Sequence, residues 1–73
     1  MVKDIRLQLA QQIRRLREKQ GLTQDELAGR AGISTKYLQN LEGNAPKKAT
    51  VVTLQKLANG FKIPAWKLLQ FKN

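Results

Sequence analysis

The residues best suited to a chemical role lie in the stretch STKYLQNLE, residues 34–42. On a helix that turns about 100° per residue, Leu38 and Leu41 share one side. The side chains that point away from these leucines are polar: Lys36, Gln39 and Asn40. A helix docked in the major groove of DNA needs such a division, because one side must be anchored while the other offers hydrogen bonds to base edges. An ordinary solvated helix face is the alternative interpretation of this pattern.

The charge balance of the whole chain points to an anionic partner. Lys and Arg number 14 against five Asp and Glu, which gives a formal net charge of +9 over 73 residues. Such a chain attracts polyanions, either nucleic acid or an anionic membrane surface. No apolar run approaches the ~20 residues of a membrane span, and the opening MVKDIRLQ has no signal-peptide core. These features favour a cytoplasmic nucleic-acid-binding protein over one whose charge serves solubility alone.

Composition argues against catalysis and metal binding. The chain has no Cys and no His, and its acids are scattered: Asp4, Glu18, Asp25, Glu26 and Glu42. An acid–base team or a metal site needs such groups in close clusters. We therefore expect no enzyme, no metal and no cofactor. With 41% apolar residues and no second domain, the chain predicts one small domain over residues 1–73, without an evident small-molecule effector site.

Capping residues and apolar spacing predict an all-α fold of five short helices around one core. The expected helices span about 4–20, 24–31, 35–42, 51–61 and 64–70. Asp4, Thr23, Ser34 and Thr50 are suitable N-caps, and Pro64 can occupy the first turn of the last helix. Gly21 and Gly32 are suitable stops. The apolar stripes are Ile5, Leu9, Ile13 and Leu16, then Val51, Leu54, Leu57, Ala58 and Phe61, and finally Leu68 and Leu69.

The second and third predicted helices have the spacing of a helix-turn-helix. Counting Gln24 as position one, the small residue Ala28 is fifth and Gly32 is ninth, with Ile33 tenth. A small fifth residue lets the helices cross closely, and glycine can adopt positive φ at the turn without steric cost. Leu38 and Leu41, at positions fifteen and eighteen, can anchor the third helix to the core. A simple corner between two helices is the alternative.

The segment IRRLREKQGLTQDELAGRAGISTKYLQNLEGN resembles the lambda-repressor-like helix-turn-helix family, also described as the Cro/repressor or xenobiotic-response-element family. The later segment TLQKLANGFKIPAWKLL is similar to that family's fourth and fifth helices. The resemblance covers roughly residues 6–70. It implies a five-helix domain that binds double-stranded DNA, usually as a homodimer on a palindromic operator.

The resemblance also implies roles for individual residues. Three side chains match base-reading positions: Thr35, Lys36 and Asn40. Five match contacts to the DNA backbone: Gln24, Tyr37, Asn44, Lys47 and Lys48. Arg17 and Glu42 match a structural ion pair. This chain departs from the family pattern where Lys62 replaces the glycine that usually ends the fourth helix, while Gly60 lies inside that helix.

The C-terminal segment IPAWKLLQF is a candidate dimer surface. Trp66 and Phe71 lie beside the apolar stripe, and Val52 points away from the stripe of the fourth helix. The alternative is that Trp66 and Phe71 close a small core.

Taken together, the sequence favours a small sequence-specific transcriptional regulator, a repressor or an activator. The second hypothesis is an antitoxin-like or bridging protein-interaction module that uses the same fold.

Overall fold

The computed structural model describes residues 5–43 and 50–70, and within these ranges the chain is helical with no strand. Its five helices are α1 (Ile5–Lys19), α2 (Gln24–Ala31), α3 (Thr35–Glu42), α4 (Val51–Phe61) and α5 (Ala65–Leu68). The all-α, five-helix prediction is confirmed. The bounds of α2, α3 and α4 are those expected, whereas α1 is shorter by one residue at its C-terminus. The proposed N-cap Asp4 lies outside the described residues.

The last helix is shorter than the sequence indicates. Pro64 is its N-cap, with extended backbone, and the helix ends at Leu68 instead of residue 70. Proline cannot donate a backbone hydrogen bond, so it fits equally well just before the first turn. Leu69, which was expected to face inward, is exposed because it lies beyond the end of the helix.

Side-chain oxygens begin the three central helices. Thr23, Ser34 and Thr50 each accept a hydrogen bond from the backbone N–H three residues later, at 3.0–3.1 Å. At Thr23 the cap is reciprocal, because its own N–H donates to Glu26 Oε1 at 2.9 Å. That backbone hydrogen bond is the main cause that lowers the pKa of Glu26. The capping box therefore stabilises the fold above the unfolded-state pKa of Glu26 and weakens as the pH falls through the folded value.

Helices α1, α2 and α4 end in the same C-terminal capping motif. A residue in the left-handed conformation follows each helix: Gly21 (φ 69°), Gly32 (φ 73°) and Lys62 (φ 61°). The next residue is apolar and returns its N–H to the carbonyl five residues earlier, as in Leu22 to Arg17 and Ile63 to Ala58, both at 3.0 Å. This is a Schellman motif. Lys62 thus ends α4 in the place of a glycine, at a conformational cost of about 1 kcal/mol.

The core draws on every helix. Its members include Leu9, Ile13, Leu27, Ala28, Leu38, Leu41, Leu57, Phe61 and Leu68. Besides Leu69, two residues predicted for the core are instead exposed: Ile5, and Val51 at 82% exposure. Both lie in the first turn of their helices. Among the described residues, no helix has the length and apolar content to cross a membrane.

Helices α2 and α4 approach closely at a glycine. Gly60 is buried, and a Cβ placed there would lie 3.2 Å from the Ala31 backbone nitrogen and 3.3 Å from Leu27 Cδ1. These distances are shorter than ordinary van der Waals contacts. The glycine inside α4 is therefore explained by the packing of α4 against the end of α2.

We predict opposite outcomes for two helical glycines. Gly29→Ala should raise the free energy of unfolding by about 0.5–1 kcal/mol, because a Cβ there meets open space and alanine favours helix. Gly60→Ala should lower it, because the Ala31 backbone cannot yield to the new methyl group. Urea unfolding followed by circular dichroism measures both. Equal stabilisation by the two variants would contradict the close approach.

Candidate nucleic-acid interface

Helix α3 is anchored on one side and open on the other. Leu38 and Leu41 are buried, whereas Lys36, Gln39 and Asn40 are exposed. Gly32 makes the turn between α2 and α3, and Ser34 caps α3. The structure therefore places three neighbouring polar side chains on an outer surface whose position is fixed by the core.

A buried carboxylate connects three helices beneath this surface. The Glu42 side chain is 1% exposed and the Arg17 side chain 15% exposed. Arg17 Nε donates to Glu42 Oε2 at 2.8 Å, and Arg17 Nη2 donates to Oε1 at 3.1 Å. Gln24 Nε2 also donates to Oε1, at 3.2 Å. We call Arg17, Gln24 and Glu42 the Glu42 cluster.

The Glu42 cluster joins the helices of the helix-turn-helix to each other and to α1. Arg17 Nη1 additionally donates to the Leu22 carbonyl at 2.9 Å, which ties down the turn before α2. Gln24, the first residue of α2, is thereby joined to Glu42, the last residue of α3. Its amide carries two N–H donors, and the cluster uses one of them.

Besides Gln24, two of the side chains that the resemblance assigns to DNA have partners within the protein. Thr35 Oγ1 donates to Asp25 Oδ1 at 2.6 Å, which links the first turn of α3 to the first turn of α2. The Tyr37 hydroxyl lies 3.0 Å from Thr53 Oγ1, and Thr53 Oγ1 lies 3.1 Å from Thr50 Oγ1. Tyr37 is half-buried, so its hydroxyl connects α3 to the N-terminus of α4. Asn44, Lys47 and Lys48 lie outside the described residues.

Comparison with known proteins identifies the group to which this chain belongs. A family model described as a helix-turn-helix domain matches residues 10–73. The chain belongs to this helix-turn-helix family. A relative from Sinorhizobium fredii, the uncharacterized HTH-type transcriptional regulator y4dJ, is 42% identical over 55 residues, which are 75% of this chain and 70% of that protein.

Solved structures share the helix-turn-helix fold over most of the chain. The restriction-modification controller protein C.AhdI from Aeromonas hydrophila superposes with a TM-score of 0.80 at 28% identity, over 86% of this chain and 94% of that one. The controller protein C.Esp1396I bound to a 19-base-pair DNA duplex gives a TM-score of 0.80 at 20% identity, over 92% of each chain. The resemblance stated from the sequence is confirmed.

Arg14 is a basic residue of this site that the sequence did not reveal. Arg14 Nη2 donates to the Glu42 carbonyl at 3.4 Å, and Arg14 Nε lies 4.0 Å from Glu42 Oε1. Its side chain remains 57% exposed, so a positive charge lies at the C-terminal end of α3. The available signal was its spacing, because Arg14 is three residues before Arg17 and therefore on the same face of α1.

We predict that Glu42→Gln destabilises this helix-turn-helix domain by about 3 kcal/mol, because it leaves the guanidinium of Arg17 buried without its counter-ion. Arg17→Lys should lower the free energy of unfolding by less than Glu42→Gln does, since lysine keeps the positive charge and loses only the two-pronged geometry. Urea unfolding measures both. The control Glu18→Gln, an exposed acid on α1, should change the free energy of unfolding by less than about 0.5 kcal/mol. A Glu42→Gln variant as stable as this control would refute the role of the cluster.

Proposed function

We propose that this chain binds double-stranded DNA sequence-specifically as a small transcriptional regulator, with α3 in the major groove. The observation that carries the proposal is the division of α3 into a buried apolar side and an exposed polar side. Leu38 and Leu41 hold the helix, so its backbone is already ordered when the outer side chains meet base edges. Such a regulator works beside the chromosome, so the proposal includes a cytoplasmic location.

Charge and family membership support the same function. A net charge of +9 favours encounter with DNA and supplies affinity that does not depend on sequence. The curated relative y4dJ is described as an HTH-type transcriptional regulator. C.Esp1396I, which shares the fold, was solved on a DNA duplex. These comparisons favour a regulator over the antitoxin-like or bridging module.

The chemistry of the exposed side chains defines what α3 can read. Lys36 can donate to guanine O6 and N7, and Asn40 can form a two-bond pair with adenine. Both are exposed on α3, as this role requires. Thr35 offers a hydroxyl and a methyl group beside them. We assign Lys36, Asn40 and Thr35 to base reading.

Contacts to phosphate would come from around the ends of α3. Gln24 is the first residue of α2, where backbone N–H groups and the helix dipole favour an anion. Arg14 adds a charge at the C-terminal end of α3, where Gln24 also contacts Glu42. Lys47 and Lys48, which follow α3 in the chain, are retained as phosphate contacts, as are Asn44 and Tyr37.

We also propose that the chain binds DNA as a homodimer on a palindromic operator. Trp66 is 65% exposed on α5, so it does not close the core, and Val52 is exposed on α4. Helices α4 and α5 pack against each other. Exposed apolar side chains on adjacent helices are suited to self-association. Phe71, the third residue of this candidate surface, lies outside the described residues.

We predict that Lys36→Ala weakens binding to the preferred operator by about 1–3 kcal/mol and relaxes selectivity at one base pair. Arg14→Ala, Lys47→Ala and Lys48→Ala should instead weaken binding to all duplexes alike, and each should lower the salt slope by about one. The operator is first obtained by selection from random duplexes. Fluorescence anisotropy on operator and scrambled DNA, at several salt concentrations, then measures the effects. An equal loss for Lys36→Ala on both duplexes would remove its base-reading role.

We predict that Trp66→Ala shifts the protein from dimer to monomer in sedimentation velocity at micromolar concentration, because it removes an exposed aromatic side chain from the contact. Gln11→Ala, a neutral exposed position on α1, is the control and should leave the sedimentation coefficient unchanged. A palindromic operator with half-sites about one helical turn apart should emerge from the selection. A wild-type protein that is monomeric both free and on its operator would rule out the dimer.

A further inference from the structure

The hydrogen bond between Thr35 and Asp25 has the geometry of a strong interaction. Its Oγ1-to-Oδ1 distance of 2.6 Å lies in the range of hydroxyl-to-carboxylate bonds, which are shorter and stronger than bonds between neutral groups. Thr35 is the first residue of α3 and is half-buried, and Asp25 is an exposed residue in the first turn of α2. The two residues are ten apart in sequence and are brought together by the turn at Gly32.

This bond determines which hydrogen-bonding capacity Thr35 retains. A hydroxyl has one proton and two lone pairs, and an ionised carboxylate can only accept. The single proton of Thr35 is therefore committed to Asp25, and the hydroxyl oxygen can only accept from a third group. The bond also restrains χ1, which is already stiff in a β-branched side chain.

We propose that Asp25 is a specificity-determining residue, which makes Thr35 an acceptor for the exocyclic amino group of a base. In the major groove these amino groups are N6 of adenine and N4 of cytosine. Guanine and thymine present only acceptors at the corresponding edges, so their oxygen atoms would face the lone pairs of Thr35. The inference rests on the proposed function, and it states that the base contacted by Thr35 is adenine or cytosine rather than guanine or thymine.

The groove itself would strengthen this preference. In free protein the Thr35–Asp25 bond is exposed to water, which can exchange with either partner. Inside a docked interface water is largely displaced, and an unpaired lone pair facing another lone pair is costly. Asp25 also adds negative charge near the DNA, which opposes binding to every sequence. If Asp25 acted only as a favourable charge in the first turn of α2, replacing it would weaken binding to all DNA sequences alike.

The test is a selection from random duplex DNA by wild type, Asp25→Asn, Asp25→Ala and the control Glu18→Gln. The midpoint of thermal unfolding is measured for each of these proteins. Wild type should enrich adenine or cytosine at one position by about 2- to 10-fold, the worth of one hydrogen bond. In Asp25→Asn, the amide N–H can donate to Thr35 Oγ1, which frees the Thr35 proton to donate to a base oxygen, so the preference should move toward guanine or thymine. Asp25→Ala frees the Thr35 proton and should flatten the preference. Glu18→Gln should keep the wild-type motif.

A second background shows whether Asp25 acts through Thr35. In a Thr35→Val protein the hydroxyl is gone while the shape is nearly kept, so Asp25→Asn should no longer alter the base preference at that position. An undiminished effect of Asp25→Asn in this background would overturn the inference. So would Asp25 variants that select the wild-type motif unchanged, or that weaken every position equally with a lower thermal midpoint. A wild-type protein that selects no motif would instead refute the proposed function itself, and this inference with it.

Discussion

The buried carboxylate of Glu42 is the constraint on which the arrangement of the first three helices depends. Removing a carboxylate from water costs several kcal/mol unless donors replace the lost hydration. Here the donors come from Arg17 on α1 and Gln24 on α2, while the acceptor ends α3. Within the described residues no buried side-chain nitrogen or oxygen is without a hydrogen-bond partner. A shift of α1 or α3 would separate the two charges, and a shift of α2 would remove a hydrogen bond from the carboxylate, so the cluster favours one relative position for all three.

Much of the fold could be predicted from local chemistry. The bounds of α2, α3 and α4 follow from caps whose hydrogen bonds span only three residues, as at Thr23 and Ser34, and from left-handed stops such as Gly32. The polar side of α3 followed from its periodicity, because a helix anchored by Leu38 and Leu41 must expose the opposite face. Local interactions carry these features, so a single sequence contains the necessary information.

The remaining features depend on distant partners. Thr53 is buried in place of the expected Val51, because its hydroxyl pairs with Tyr37 across the space between α3 and α4. Gln12 donates to the Gln70 carbonyl at 3.2 Å, and Gln20 donates to the Phe61 carbonyl at 3.0 Å. These amides would ordinarily be assigned to the surface, and nothing in their spacing reveals acceptors more than 40 residues away. The bond from Thr35 to Asp25 joins residues only ten apart, but it forms across the turn at Gly32, and the spacing of the two residues does not reveal it.

The two-sided build of α3 has a consequence for how such a protein can change. Lys36, Gln39 and Asn40 are exposed, so substitutions there alter the outer surface without creating cavities or unpaired buried groups. With the base-reading role proposed for Lys36 and Asn40, new operator preferences would therefore be accessible by single substitutions that leave folding intact. Thr35 differs, because its hydroxyl is bonded to Asp25, so a change at one of these positions alters the hydrogen bonding of the other. The surface thus combines freely evolving sites with one coupled pair, which marks where an engineer should randomise two codons together.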